Sequence, residues 1–330
     1  MKIILAPMEG VVDHTFREML SKVGGIDRCV TEFIRVTDVC LPPRVFYRYC
    51  PELKNEGLTK SGIPVFVQLL GGQPEPMAMN ALRAAELGAP GIDINFGCPA
   101  KCVNKNDGGS VILKEPDRVF NIVHAVRTAV PLATPVTAKI RLGFSDRTLL
   151  HEIYSAVVSA GANELIVHAR TRDDGYKPPA YWDALAGIQA EGKIPLVANG
   201  EIWSVEHARQ CLIESGCRDL MLGRGLLAKP DLALQIKGSL QLEPRPIQLQ
   251  WENILDLLLS FCEITENEYE RKYVGNRVKQ WLGYLRRQYL LAENLFEDVK
   301  RLKWPEEIND QIYRHKIRLC SGFTGLVESS

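Results

Sequence analysis

Short apolar, largely β-branched runs recur along the first two thirds of the chain. They centre near Leu5, Thr31, Val67, Asp93, Ala138, Ile166, Val197 and Met221. Near-continuous apolarity in runs this short predicts strands buried on both faces, the mark of a parallel sheet. The centres advance by about 31 residues per step, the length of one strand–helix unit. Helical patterns fill the gaps. Asp13 caps a helix through Leu20. The run after Pro74 stops at Gly88, and Pro116-Asp117 opens another. A further helix runs from Thr148 to Gly161, and Ser204 starts one that stops at Gly216. Polar caps before and glycines after are the expected asymmetry of helix ends. Eight such units predict an α/β fold closed into a (β/α)8 TIM barrel over residues 1–238. An open doubly wound sheet is disfavoured by the regular count and by the lack of an opening G-x-G-x-x-G.

The pattern changes after Lys237. Residues 239–247 carry two prolines and read as a linker. Residues 248–330 contain no strand run. Helical periodicity appears at Ile254, Leu257, Leu258 and Phe261, and again at Val274, Val278, Trp281, Leu282 and Leu285, which predicts a small all-helical domain.

Composition narrows the class. The 330 residues are 46% apolar and 24% charged, which excludes disorder and fibrous repeats. The apolar runs fall far short of the roughly 18 residues a membrane helix needs, and the start from Met1 to Pro7 is too short in its apolar stretch for a signal peptide. Nine cysteines without C-x-x-C spacing argue against a disulfide framework and a zinc site, and fit a reducing cytoplasm. Forty basic residues balance forty acidic ones, so net charge is silent about partners.

In a barrel the chemistry sits at the carboxyl ends of the strands. Those ends carry Glu9, Glu32, Gln68, Asn95, Lys139, Arg141, His168, Arg170, Asn199, Glu201 and Arg224, where a packed interior would carry Val, Ile and Leu. Taken singly, Lys139 reads equally as a solvated strand end and His168 as a cap on a carbonyl; as a ring they read as a site. Asn199-Gly200-Glu201 and Gly223-Arg224-Gly225 follow the last two strands, where barrels often hold phosphate on backbone N–H groups. Asn95-Phe96-Gly97-Cys98-Pro99 follows the fourth. Cys98 reads either as a buried inert thiol or as a general acid, since a thiol with a reference pKa of about 8.5 keeps its proton at neutral pH. Cys102 is its rival, and the turn residues around Cys98 favour the latter.

With these residues in place the chain resembles the tRNA-dihydrouridine synthases. The resemblance rests on Ala6-Pro7-Met8-Glu9-Gly10, Gln68, Asn95-x-Gly97-Cys98-Pro99, Lys139-x-Arg141-x-Gly143, His168-x-Arg170-Thr171, Asn199-Gly200-Glu201 and Gly223-Arg224-Gly225, in order from the first strand to the last. Glu32-Phe33-Ile34-Arg35-Val36 and Arg277-Val278-Lys279-Gln280-Trp281-Leu282 resemble more narrowly the bacterial branch acting on uridine 16 of the D-loop. The resemblance implies FMN as cofactor, with NADPH (NADH possible) as reductant. It implies hydride transfer from reduced FMN to uracil carbon 6 and protonation of carbon 5 by Cys98. On the same footing, Pro7, Met8, Glu9, Gln68, Lys139, His168, Asn199, Gly200, Glu201, Gly223 and Arg224 are expected to hold FMN.

The resemblance makes tRNA the partner. A uracil must leave its stack to meet a flavin, and phosphate contacts must hold the RNA meanwhile. From Arg271 to Tyr289 there are six basic residues and no acidic one, with Tyr273, Trp281, Tyr284 and Tyr289 interleaved. Alone, such a run is a solvated helix face; beside the barrel motifs it reads as an RNA contact. The expected tRNA-facing residues are Arg35, Asn95, Arg141, Tyr176, Lys272, Arg277 and Lys279. One site per chain makes a monomer sufficient. Two other readings remain: an FMN barrel acting on a free pyrimidine, as dihydroorotate dehydrogenases do, and an RNA-binding protein without catalysis. The basic appendix speaks against the first, and Cys98, Lys139 and His168 against the second.

Overall fold

The computed structural model describes residues 1–240 and 248–320. The expected linker at 239–247 therefore lies, from residue 241 on, outside the described residues, as does the end of the chain from 321. The chain divides into two compact units, residues 1–223 and 224–330.

The first unit is a closed parallel barrel. Its strands are β1 (Ile3–Leu5), β2 (Arg28–Val30), β3 (Ile34–Arg35), β4 (Val65–Leu70), β5 (Ile92–Asn95), β6 (Val136–Arg141), β7 (Glu164–His168), β8 (Leu196–Asn199) and β9 (Asp219–Leu222). They follow one another in the order β2-β1-β9-β8-β7-β6-β5-β4-β3, all parallel, and β2 closes the ring on β4. Every expected strand is present, but the second is broken in two. Val30 pairs with Phe66 and Ile34 with Leu69, so this strand takes four steps where its partner takes three. The extra residue is a bulge, which bends the strand and re-aims its side chains. Thr31 Oγ1 accepts the Gln68 N–H at 3.0 Å within it, and the next residue, Glu32, accepts the Gly10 N–H at 2.5 Å.

The helices of this unit are α1 (His14–Val23), α2 (Pro43–Tyr49), α3 (Pro74–Glu86), α4 (Lys101–Lys105), α5 (Pro116–Ala129), α6 (Leu150–Ser159), α7 (Ala186–Ala190) and α8 (Val205–Ser215). Two caps act as expected: Asp13 accepts from Phe16 N and Ser204 from His207 N.

Strand side chains alternate between the barrel interior and the helices. Ile4, Val30, Phe66, Ile166, Val197 and Met221 fill the interior as one apolar cluster with Ala6. Below it, Arg28 and Glu164 form a buried ion pair, with the guanidinium 4.5 Å from the Phe66 ring centroid. Two residues further along three of these strands the interior positions turn polar: Phe66 gives way to Gln68, Ile166 to His168 and Val197 to Asn199, with Lys139 of β6 beside them. An apolar floor under a polar rim marks this end of the barrel as the candidate site.

The second unit is helical: α9 (Arg224–Ala228), α10 (Leu232–Ser239), α11 (Trp251–Glu268), α12 (Arg271–Leu285), α13 (Leu290–Val299) and α14 (Pro305–Cys320). Its division from the barrel at residue 223 falls earlier than the expected boundary at 238. The reason is that α9 belongs to the helical core: the wholly buried Trp281 donates its indole N–H to Leu227 O at 3.0 Å and meets Phe261 edge-on at 5.1 Å. The predicted apolar faces are buried, except that Leu255 takes the core place expected for Leu257. Among the described residues no helix is long and apolar enough to cross a membrane.

Candidate active site

The rim is built as a chain of hydrogen bonds that starts from a buried carboxylate. Asp93 is fully buried. Its oxygens accept from Thr137 Oγ1 at 2.5 Å and from Gln68 Nε2 at 2.6 Å. With its amide so oriented, Gln68 offers Oε1 to Asn95 Nδ2 at 2.8 Å. Asn95 Oδ1 in turn accepts the N–H groups of Gly97 and Cys98 at 2.9 and 3.0 Å. Both lone pairs of that oxygen are thereby committed, and one amide N–H besides. Asn95, expected to read a uracil edge, is here the residue that shapes the Cys98 turn. The Cys98 carbonyl is held from the other side by Asn104 Nδ2, Ser110 Oγ and Ser110 N, at 3.0, 2.9 and 3.1 Å.

Cys98 is half-buried at the end of β5, whereas its rival Cys102 is exposed on α4. Burial pushes the Cys98 thiol above its ordinary range, against the pull of the Ala100 N–H and of Arg141. The group is therefore a protonated thiol at neutral pH, suited to give a proton and unsuited to act as a thiolate nucleophile.

Register brings the remaining rim residues together. Asn95 lies beside Lys139, Arg141 beside His168, and His168 beside Asn199. Lys139 Nζ donates to Asn199 Oδ1 at 3.1 Å, and Asn199 Nδ2 to Met221 O at 2.8 Å. Burial drives the Lys139 ammonium down, as does the nearby Arg141 charge, while the Asp93 carboxylate resists; the same burial drives Asp93 up. An ammonium has three donors and only one goes to Asn199, so the site keeps buried positive character for an incoming acceptor.

Arg141, expected to face RNA, is almost wholly buried; its Nε donates to Gly97 O at 2.8 Å and its Nη1 to Thr171 O and Gly175 O, both at 2.9 Å. It ties the Cys98 turn to the loop after β7. Tyr176 on that loop is exposed, with its ring 5.2 Å from the Arg141 guanidinium and 6.0 Å from the His168 ring.

Arg170 is fully buried, ion-paired to Glu201, and donates to Lys177 O at 2.7 Å. Glu201 also accepts from Trp203 Nε1 at 2.9 Å. Gly200, at φ +120°, sits so close to His168 that a Cβ there would lie 2.8 Å from the ring. Only glycine lets the backbone pass at this point. Pro7 and Met8 are half-exposed where β1 ends, and Met8 O accepts from Val11 N and Val12 N at 3.0 and 2.9 Å. Gly223 lies against Met8. Glu9, beside Glu32 at the mouth, is raised to about 7, first by partial burial and then by that neighbouring carboxylate. Arg224 opens α9 and belongs to the second unit, and Arg35 is exposed on β3.

In the second unit, Lys272 is exposed and paired with Glu270 at 2.7 Å. Arg277 is half-buried, between the rings of Phe261 and Tyr269 at 5.9 and 5.7 Å, and Lys279 donates to Leu302 O at 2.9 Å.

Asp93, Thr137, Asn104 and Ser110 carry much of this arrangement and were not expected in it. One signal was present: a carboxylate two places before Asn95 in an apolar strand shares its face.

A parallel barrel with a polar rim, a half-buried thiol and a buried lysine at the strand ends is the architecture of a barrel enzyme. The dihydrouridine synthase (Dus) family model matches residues 4–315, and the chain belongs to that family. It is 48% identical over 308 residues to the tRNA-dihydrouridine(16) synthase of Shewanella oneidensis, covering 93% of this chain and 96% of that one. It is 49% identical over 302 residues to the protein of the same name from Pseudomonas putida, covering 91% and 93%. Among solved structures, a 2-naphthoyl-CoA reductase complex superposes with a TM-score of 0.53 at 12% identity, over 74% of this chain and half of that one, a likeness of fold alone.

Proposed function

We propose that the protein reduces uridine 16 in the D-loop of tRNA to 5,6-dihydrouridine, with FMN as resident cofactor and NADPH, or NADH, as reductant. The observation that carries this reading is the Cys98 thiol, held protonated in a turn fixed from Asp93 through Gln68 and Asn95. Membership of the family and the names of its curated relatives support this choice of substrate.

The residues present fit a flavin. Lys139 is a buried cation with donors to spare, Gly200 brings backbone close to His168 without a side chain, and the Gln68 amide faces the same rim. Pro7, Met8, Glu9, Gln68, Lys139, His168, Asn199, Gly200, Glu201, Gly223 and Arg224 would hold it. When bound and reduced, FMN supplies hydride to carbon 6 of the uracil.

The protein's own part is positional and electrostatic. Lys139 would offset negative charge on a bound flavin without itself moving a proton. Cys98 Sγ holds the proton destined for carbon 5. Arg141 keeps the turn at a fixed height against the loop that carries Tyr176, and the Tyr176 ring is the surface against which an everted nucleotide can rest. The apolar cluster below the rim would exclude water from that side of the site. A reaction on tRNA supports a cytoplasmic location, and one site per chain lets the protein work as a monomer.

The test uses tRNA from a strain lacking all dihydrouridine synthases. The purified yellow protein with NADPH should form dihydrouridine at position 16. Modification at another position overturns the assignment of position, and reduction of free pyrimidines with none of tRNA overturns the substrate.

A further inference from the structure

His168 ends β7 and is buried, with Arg170 two residues further on. The backbone between them turns tightly, and Arg170 N donates to His168 O at 2.6 Å. The guanidinium comes back onto the imidazole, with Arg170 Nη1 3.4 Å from His168 Nε2. We propose that Arg170 is a positioning residue that holds His168 as the neutral tautomer protonated on Nδ1, so that His168 meets the cofactor as a fixed single donor and not as an acid. The cofactor half of this rests on the reading of the protein as an FMN enzyme.

The tautomer follows from what each group can offer. A guanidinium carries N–H donors and no acceptor. A proton on His168 Nε2 would set two N–H groups against each other across 3.4 Å. Nε2 is therefore the bare nitrogen, and the ring's one proton sits on Nδ1. An imidazolium is excluded on the same ground, since it carries both protons. Its charge would also join those of Lys139, Arg141 and Arg170, all buried, with Arg141 the register partner of His168 on β6.

Arg170 is held in this pose from its other nitrogens. Nε donates to Lys177 O at 2.7 Å and to Pro179 O at 3.2 Å. Nη2 donates to Glu201, whose other oxygen accepts from Trp203 Nε1 at 2.9 Å. Gly200 lies against the same edge of the imidazole, where a Cβ would come 2.8 Å from His168 Cδ2 and 3.2 Å from Nε2. The edge with Cδ2 and Nε2 thus faces Gly200 and Arg170, and the edge with Nδ1 and Cε1 is the one turned from them. Polarity passes from Trp203 through Glu201 and Arg170 to His168, so Glu201 acts on the cofactor site through Arg170.

The experiment reads the ring nitrogens of His168 by nitrogen NMR at neutral pH, in the flavin-loaded full chain labelled in its histidines. The chain has six histidines, and the signals missing from His168→Asn identify this one. A bare Nε2 and a protonated Nδ1 are expected; a protonated Nε2, alone or together with Nδ1, overturns the proposal. Arg170→Lys exchanges one donor-only cation for another and should keep the tautomer even where melting temperature falls; its loss in the folded lysine variant also overturns the proposal. Arg170→Met leaves the Glu201 carboxylate as the nearby acceptor, and should move the proton to Nε2 and weaken FMN binding about tenfold, the worth of one hydrogen bond. A folded Arg170→Met that keeps its proton on Nδ1, or binds FMN as wild type does, counts against the proposal as decisively. Should the methionine variant not fold, the wild type and Arg170→Lys decide. His168→Asn, whose amide N–H can take the place of Nδ1, should hold FMN more tightly than His168→Gln, which reaches the place of Nε2; the reverse order removes Nδ1 as the donor. The functional reading fails separately, if the wild type binds no flavin, because the flavin-free chain still reports the tautomer.

Discussion

The two units use positive charge in opposite ways. At the barrel mouth Lys139, Arg141 and Arg170 are buried, and Arg141 and Arg170 are committed to named protein acceptors. On the helical unit Lys272, Arg301 and Lys303 are exposed, and where they meet carboxylates they do so in water. A buried cation is costly unless its donors are met, so it holds one geometry and acts whatever the salt. An exposed cation is held loosely, is screened within about 8–10 Å, and contributes chiefly when a polyanion displaces counterions. The first arrangement suits chemistry on a single ring; the second suits capture of a long RNA.

The contrast can be broken most sharply at Cys98. Cys98→Ala should retain flavin colour and tRNA affinity yet lower the single-turnover rate of dihydrouridine formation by about a thousandfold, about 4 kcal/mol in the barrier. A rate within tenfold of wild type removes Cys98 as the proton donor.

Arg141→Ala comes next. It deprives three main-chain carbonyls of a buried donor, and should cost about 3 kcal/mol in stability to urea, equally at low and high salt. A cost that disappears at high salt would place Arg141 with the exposed class.

Lys272→Ala should behave in the opposite way. Its melting temperature should match wild type within a degree, while the salt slope of tRNA binding falls by up to about 0.9 units. An unchanged slope takes Lys272 out of the interface.

The smallest effect concerns Glu9, which lies between the classes. Its carboxyl is raised from 4.5 to about 7. Between those values the folded protein binds the proton that the unfolded chain has released, so stability falls as pH rises through this window. Glu9→Gln should remove that loss. Because Glu9 is open to solvent, water screens most of it, and the variant should gain only about 1 °C in melting temperature over wild type between pH 5 and pH 8. No relative gain across that window would mean that neither partial burial nor Glu32 perturbs Glu9.

Much of this was legible in the chain because it depends on near neighbours. Strand positions follow from apolar runs, and the caps at Asp13 and Ser204 from one residue and the turn after it. The rim residues followed from one rule, that barrel strands end in chemistry, combined with the alternation that puts Gln68, Asn95, Lys139, His168 and Asn199 at those ends. The face of α12 followed from counting charges.

What the tertiary structure alone decided are relations across long separations. Arg28 meets Glu164, 136 residues away, and Thr31 fills a bulge that exists only because β2 and β4 close the ring. Nothing near Arg141 in the chain announces that its guanidinium will donate to Gly97, Thr171 and Gly175. Nor does a polar residue in an apolar strand say which partners will satisfy it. Periodicity records which face a residue takes; its partners depend on register, closure and the packing of distant segments, and those are properties of the whole fold.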